Sequence, residues 1–287
     1  LTNDNSYDPH VYGYYVSPGN VQCYVDLDLP IDAPEDAPIY RYRFAAHQWE
    51  MYGGSNLNTV GELSFPIDLF PYGQTANPTA HTFGEGHHGE MTEFVNNTAH
   101  IPCDFSSDWR VPHEDPTLDV LCKNGGDKGG GNSRNLKLGR DASVVTINVT
   151  DDHHGHTTYV GLVVLPDLYP GTRFDAMDDG SPDIVIGTEE WLLMESLGAV
   201  FLPCSGKIEY NSDESRTWAG NHSTGMGFYT LKDSFHGNSV HYLLINDAND
   251  RAYITPRTGD EMARAFRLIR PAPGVTPGYY GPTSSSK

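Results

Sequence analysis

Apolar residues come in short runs, each cut off by Gly, Pro, Asn or Asp. Val11 to Val25 carries aromatic and branched residues on both sides of Pro18-Gly19-Asn20, which predicts a hairpin. Tyr40, Tyr42 and Phe44 alternate with arginines, which predicts a strand running toward Trp49. Ile67 to Tyr72 is a brief apolar segment. Val144–Val149 and Tyr159–Leu165 read as two strands around an Asp/His-rich loop. Two helices are expected. One runs from His113 to Lys123 and stops at Asn124-Gly125-Gly126. The other starts at Thr188 as N-cap, has Glu189 and Glu190 in its first turn, and stops at Gly198. Ala199–Pro203 reads as a buried strand. Phe228–Thr230, His241–Asn246, Arg251–Thr255 and Ala263–Arg270 read as a terminal antiparallel meander. Residues 73–108 and 125–133 are long, irregular and rich in Gly, Asn, Thr and His. No linker interrupts this order, so a single domain is expected over 14–270, with flexible segments at 1–13 and 271–287.

Composition narrows the function classes. Thirty Gly and twenty Pro exceed the usual share of about 12% for the two together. Seventeen Tyr, eleven Phe and four Trp supply the bulk of a packed core. The net charge of −20 argues against a nucleic-acid groove, which needs clustered Lys and Arg, and against docking on an anionic membrane. No run approaches the ~20 apolar residues of a spanning helix, so direct membrane insertion is not expected. Leu1 is not a start methionine, so a leader or anchor is expected upstream of this segment. Cys23, Cys103, Cys122 and Cys204 form no CxxC pair. They read as small buried thiols, and their pairing is left open.

Seven segments occur in a characteristic order. They are Val16-Ser17-Pro18-Gly19-Asn20-Val21-Gln22, Arg43-Phe44-Ala45-Ala46-His47-Gln48-Trp49, Ile67-Asp68-Leu69-Phe70-Pro71-Tyr72-Gly73 and Asp108-Trp109-Arg110-Val111. Gly161-Leu162-Val163-Val164-Leu165-Pro166-Asp167, Glu190 through Gly198-Ala199-Val200-Phe201-Leu202-Pro203, and Arg267-Leu268-Ile269-Arg270 follow. In this the chain resembles the Fibrobacter succinogenes major paralogous domain family, found in secreted and surface proteins of gut Bacteroidetes. The resemblance implies a C-type-lectin-like α+β fold with short strands, two main helices and long irregular loops. It implies no catalytic residues. The chain departs from the family's pattern at Cys204-Ser205, at Gly227-Phe228-Tyr229-Thr230-Leu231 and at Arg264.

Candidate chemistry is sparse. Asp151-Asp152-His153-His154-Gly155-His156 has the donor types of a transition-metal site, although neighbouring side chains in an extended loop diverge. His87-His88-Gly89-Glu90 is similar, and no HExxH occurs. Gly84 to Gly89 fits GxGxxG but lacks the preceding strand that a dinucleotide site requires. Asp175, Asp178, Asp179 and Asp183 surround Gly180, yet Met177 and Ile186 occupy positions where an EF-hand needs oxygen ligands. No cofactor is therefore expected, and Ca²⁺ is kept as a candidate ion. Asn246-Asp247 matches half of a lectin Ca²⁺ site and equally an ordinary turn. No nucleophile elbow, P-loop or SxxK is present.

The expectation is a non-enzymatic binding or adhesion module, secreted or on the outer-membrane surface. Its partner would be a carbohydrate or a surface protein, with a fimbria-associated role implied by the resemblance. Trp218, Asn221, Tyr229, Asn246 and Asp247 are the expected ligand contacts, since exposed aromatics stack on sugar faces. The alternatives are a metal-dependent hydrolase using His153, His154 and His156, and a purely structural surface subunit.

Overall fold

A computed structural model describes residues 14–25, 40–52, 66–71, 102–112, 134–135, 142–153, 156–166, 169–172, 174, 184–210, 216–219, 225–231, 239–246, 251–258 and 262–271. Strands dominate. They are β1 (Tyr14–Val16), β2 (Val21–Val25), β3 (Tyr40–Phe44), β4 (Phe70–Pro71), β5 (Arg134–Asn135), β6 (Ala142–His153), β7 (His156–Val164), β8 (Val185–Gly187), β9 (Val200–Pro203), β10 (Lys207–Tyr210), β11 (Arg216–Ala219), β12 (Met226–Leu231), β13 (Ser239–Asn246), β14 (Arg251–Thr258), β15 (Met262–Arg264) and β16 (Ile269–Pro271). Helix α1 (Thr188–Ser196) lies between β8 and β9 and is the one α-helix among the described residues.

This corrects the expected α+β, C-type-lectin-like fold with two main helices: the described chain is mostly strands in several small sheets. The physical reason lies in the punctuation of the chain. Gly and Pro cut the apolar runs to lengths that fit strands and fall short of the ~12 residues of an average helix. The segment His113–Lys123, expected to be helical, lies outside the described residues.

One sheet has the order β8-β6-β7-β9, with β6 and β8 parallel and the other neighbours antiparallel. Both faces are buried, and strand alternation decides which residue meets which layer. Val145, Ile147 and Val149 of β6 join Tyr159, Val163 and Phe201 against Trp191 and Met194 of α1. Ala142 and Val144 turn to the opposite face, with Leu162 and Leu202. There they meet Tyr229, Leu231, Leu243, Ile245, Ala252 and Ile254 of a second sheet, ordered β12-β13-β14-β5. Helix α1 places Trp191 and Met194, three residues apart, on its buried side. It ends in a Schellman arrangement: the Ala199 amide donates to Met194 O and the Gly198 amide to Glu195 O. Gly198 sits at φ 92°, a conformation that favours glycine. Thr188 does not cap the helix through its side chain. Its hydroxyl donates to Asn148 O at 2.9 Å instead, tying α1 to β6.

The predicted hairpin over 11–25 is two strands that do not pair with each other. β1 pairs with β16 and β2 with β3, which brings the first and last described segments together. The turn between them explains the difference. The Ser17 amide donates to Leu268 O at 2.8 Å, and the Leu268 amide donates to Ser17 Oγ at 3.1 Å. The Ala45 amide donates to Asn20 O, and a Cβ on Gly19 would lie 2.4 Å from Ala45 O. The turn is thus held by residues 45 and 268 rather than by a hairpin partner.

At the centre of this arrangement is Arg267, which is buried. Its Nη2 donates to Gln48 Oε1 at 2.6 Å and its Nη1 to Asn20 Oδ1 at 3.3 Å. Gln48 accepts a second bond from the Phe201 amide at 2.8 Å and donates its own amide to Ala199 O at 3.1 Å. Burial lowers Arg267 to about 10, against the opposing charges of Tyr229 and Glu195. Four of the seven ordered segments thus meet on a structural polar node: 16–22, 43–49, 190–203 and 267–270.

Gln48→Ala would strand a buried guanidinium, a buried amide and a buried carbonyl at once. The expected cost is about 3–5 kcal/mol of unfolding free energy in urea denaturation. A loss below about 1 kcal/mol would contradict this role for Gln48.

Candidate binding site

Strands β2 and β3 show two different faces. Val21, Cys23 and Tyr42 point inward, packing with Ile67, Phe70, Trp109, Val111, Phe266 and Leu268. Gln22, Tyr24, Arg41 and Arg43 occupy the alternate positions, in register as Gln22↔Arg43 and Tyr24↔Arg41. These four side chains form the middle of a polar row. At its buried end Glu50 accepts from Gln22 Nε2 at 2.9 Å and from the Ala46 amide at 3.0 Å. The Tyr52 hydroxyl lies 3.4 Å from Glu50 Oε1, and the Tyr52 amide donates to Asp68 Oδ2 at 2.7 Å. Arg43 donates to Gln22 Oε1 at 3.3 Å and lies over the Tyr24 ring, 4.6 Å from its centroid. At the exposed end the Tyr24 hydroxyl donates to Asp104 Oδ2 at 2.7 Å, and Arg41 donates to Asp104 Oδ1 through Nε at 2.8 Å and also through Nη2.

The row is a graded set of donors and acceptors, dry at Glu50 and wet at Asp104. Burial pushes the Asp104 carboxyl up, but hydrogen bonds from Arg41 and Tyr24 and the charges of Arg41 and Arg43 outweigh it and hold it below its ordinary value. The carboxylate is therefore charged at neutral pH. Arg41 and Asp104 are each about one-third exposed, so their pairing is screened and adds little stability. Its consequence is positional: the Tyr24 ring and both guanidiniums are fixed by neighbours. Beside them, burial first and the Asp104 charge second push the Cys103 thiol up to about 11, so it stays protonated and is a weak nucleophile.

The residues expected to touch a ligand lie elsewhere. Tyr229 is fully buried in the core on β12, and its hydroxyl donates to Pro203 O at 2.7 Å. Trp218 on β11 is half-buried against the same core, and its indole N–H donates to Ser205 O at 3.1 Å. Asn246 ends β13, opposite Met226 and Arg251. Asn221 and Asp247 lie outside the described residues, as do His154, His87 to Glu90 and Asp175 to Asp183. His153 and His156 fall on β6 and β7 and are partners in register. Among the described residues, no group of three or more His, Cys, Asp or Glu is placed to hold a metal ion, and no helix is long and apolar enough to cross a membrane. The outer row on β2 and β3 was not anticipated. Its one signal in the sequence was the alternation Tyr40-Arg41-Tyr42-Arg43-Phe44, in which two of this acidic chain's few cations share one face.

No protein-family model, no curated protein and no solved structure matches the chain. The resemblance to the Fibrobacter succinogenes family therefore rests on the quoted segments alone.

Alkaline pH tests the burial of this unit. Burial pushes the Cys23 thiol up to about 12, with Cys103 adding to the shift, and pushes Tyr52 up to about 12, with Glu50 adding to it. Tyr42 is raised well above its ordinary 10.0, chiefly by burial. The unfolded chain ionises these groups first, near 9.0 and 10.0, so the folded state holds more protons there and stability falls as pH rises. Each group contributes up to about 1.4 kcal/mol per pH unit in that window. Arg267 acts the opposite way, since the unfolded chain holds its proton longer, but it is one group against several. The urea midpoint is expected to drop steeply from pH 9 to pH 11. A flat profile would contradict the burial of these groups.

Proposed function

We propose that the chain is a non-catalytic binding and adhesion module, secreted or displayed on a cell surface, whose partner is a carbohydrate. Its contact face is the outer row on β2 and β3. The observation that supports this reading is the conjunction of Tyr24, Arg41, Arg43 and Asp104: a ring, two planar cations and a charged carboxylate, each fixed by its neighbours. Paired sugar hydroxyls are matched by such alternating donors and acceptors, and an aromatic ring takes the apolar face of a pyranose. Side chains already held in place lose less entropy on binding. Membership of the Fibrobacter succinogenes family, and with it a fimbria-associated role, remains part of this proposal.

A glycan array probed with the full chain tests it. Binding to a restricted set of glycans is expected, with Tyr24→Ala and Arg43→Ala each weakening it by about tenfold, equivalent to about 1.4 kcal/mol. Both variants should keep the thermal midpoint within a few degrees. Silence across the array would move the reading to a structural surface subunit. Binding that both variants leave unchanged would place the contact face elsewhere.

A further inference from the structure

Strand β16 has a neighbour on each side. On one side Tyr15 of β1 is opposite Arg270. On the other, Arg110 and Ile269 exchange backbone hydrogen bonds of 2.9 Å in an antiparallel bridge, which places Trp109 opposite Arg270 as well. Directly opposed residues share a face, so the three side chains form one rung, Tyr15–Arg270–Trp109. The Arg270 guanidinium carbon lies 5.3 Å from the Tyr15 ring centroid and 4.9 Å from that of Trp109. Trp109 is buried and is braced by Phe44, edge-on at 5.2 Å between centroids. Arg270 is exposed, and Tyr15 is 49% exposed. Among the described residues, no oxygen accepts a hydrogen bond from the Arg270 guanidinium and no carboxylate pairs with it, that of Asp108 beside Trp109 included.

We propose that this rung binds the carboxylate of an acidic sugar, with Arg270 as the group that takes it. Three observations support it. Rings on two sides hold a side chain that otherwise samples many rotamers, so less entropy is lost when a ligand binds it. The chain carries 38 Asp and Glu against 18 Lys and Arg, yet this exposed guanidinium keeps its N–H donors for solvent, and their planar fork matches a carboxylate. Half-exposed Tyr15 stands beside that fork, and an acidic sugar presents the same pairing: a carboxylate on a ring with an apolar face. The net charge of −20 repels an anion at long range, but at physiological salt that field is screened beyond about 8 Å, so the local donors decide. The assignment rests on the carbohydrate reading for the class of partner. It adds a subsite outside the row on β2 and β3 and names which carbohydrates that partner includes.

An array that sets each carboxylate-bearing glycan beside its carboxyl-reduced counterpart, with sulfated glycans added, tests the rung on the full chain. The acidic member of a bound pair is expected to bind about tenfold tighter than the reduced one, as hydrogen bonds to a charged group warrant. Arg270→Gln should erase that preference while keeping the thermal midpoint, since the side chain is exposed. Lys287→Gln makes the same change in net charge and should keep the preference. Bound glycans without a preference for the acidic member would overturn the assignment, as would a preference that survives Arg270→Gln. So would sulfated glycans bound as tightly as carboxylates, or a preference lost equally in Lys287→Gln, since charge alone would then account for it. Each of these results leaves the carbohydrate reading standing. Silence toward every glycan overturns that reading and this assignment together.

Discussion

The buried guanidinium of Arg267 ties distant segments of this molecule together. Removing a charge from water costs several kcal/mol unless fixed dipoles replace the lost hydration. For Arg267 the described bonds come from two neutral side-chain oxygens, those of Gln48 and Asn20. Each of those residues is in turn fixed by backbone: Gln48 by Ala199 and Phe201, Asn20 by its place in the turn that Ser17 ties to Leu268. Segments separated by more than 200 residues therefore cannot shift independently. The seven ordered segments make sense as parts of a scaffold, in which Asn20, Gln48 and Arg267 are structural.

The same constraint places the outer row. Gln22 follows the Asn20 turn by two residues, and its amide reaches Glu50, two residues after Gln48. The Arg267 node and the buried end of the row thus share the same two short stretches of chain. A side chain on the β2–β3 face is held by the core on one side and by its neighbour in the row on the other. This rigidity suits recognition, where ordering costs subtract from affinity.

Local patterns were legible in the sequence, and long-range ones were not. The β6–β7 strand pair, α1 with its Gly198 stop, and the β12–β13–β14 meander all follow from alternation and punctuation within about twenty residues. The 11–25 hairpin failed because partner choice is not local: Pro18-Gly19-Asn20 looks like a hairpin turn, yet β1 pairs with β16 across the whole chain. Ala263–Arg270 failed for the same reason, splitting into β15, which joins β10 and β4, and β16. The aromatics expected to touch a ligand carry both an apolar body and a polar tip. Tyr229 and Trp218 satisfy that tip on the carbonyls of Pro203 and Ser205. The row on β2 and β3 needed the Tyr24↔Arg41 register and the approach of Asp104, and neither is visible in a linear pattern.

Native-state hydrogen exchange tests the scaffold most directly. The amides of Val21, Ala45, Phe201 and Leu268 each donate across the node to a different segment. If Arg267 locks these segments into one cooperative unit, all four exchange in the slowest class, with the free energy of global unfolding and with the same denaturant dependence as Leu243 and Ile245 of β13. Exchange of the four through a separate, lower-energy opening while β13 stays protected would contradict the account.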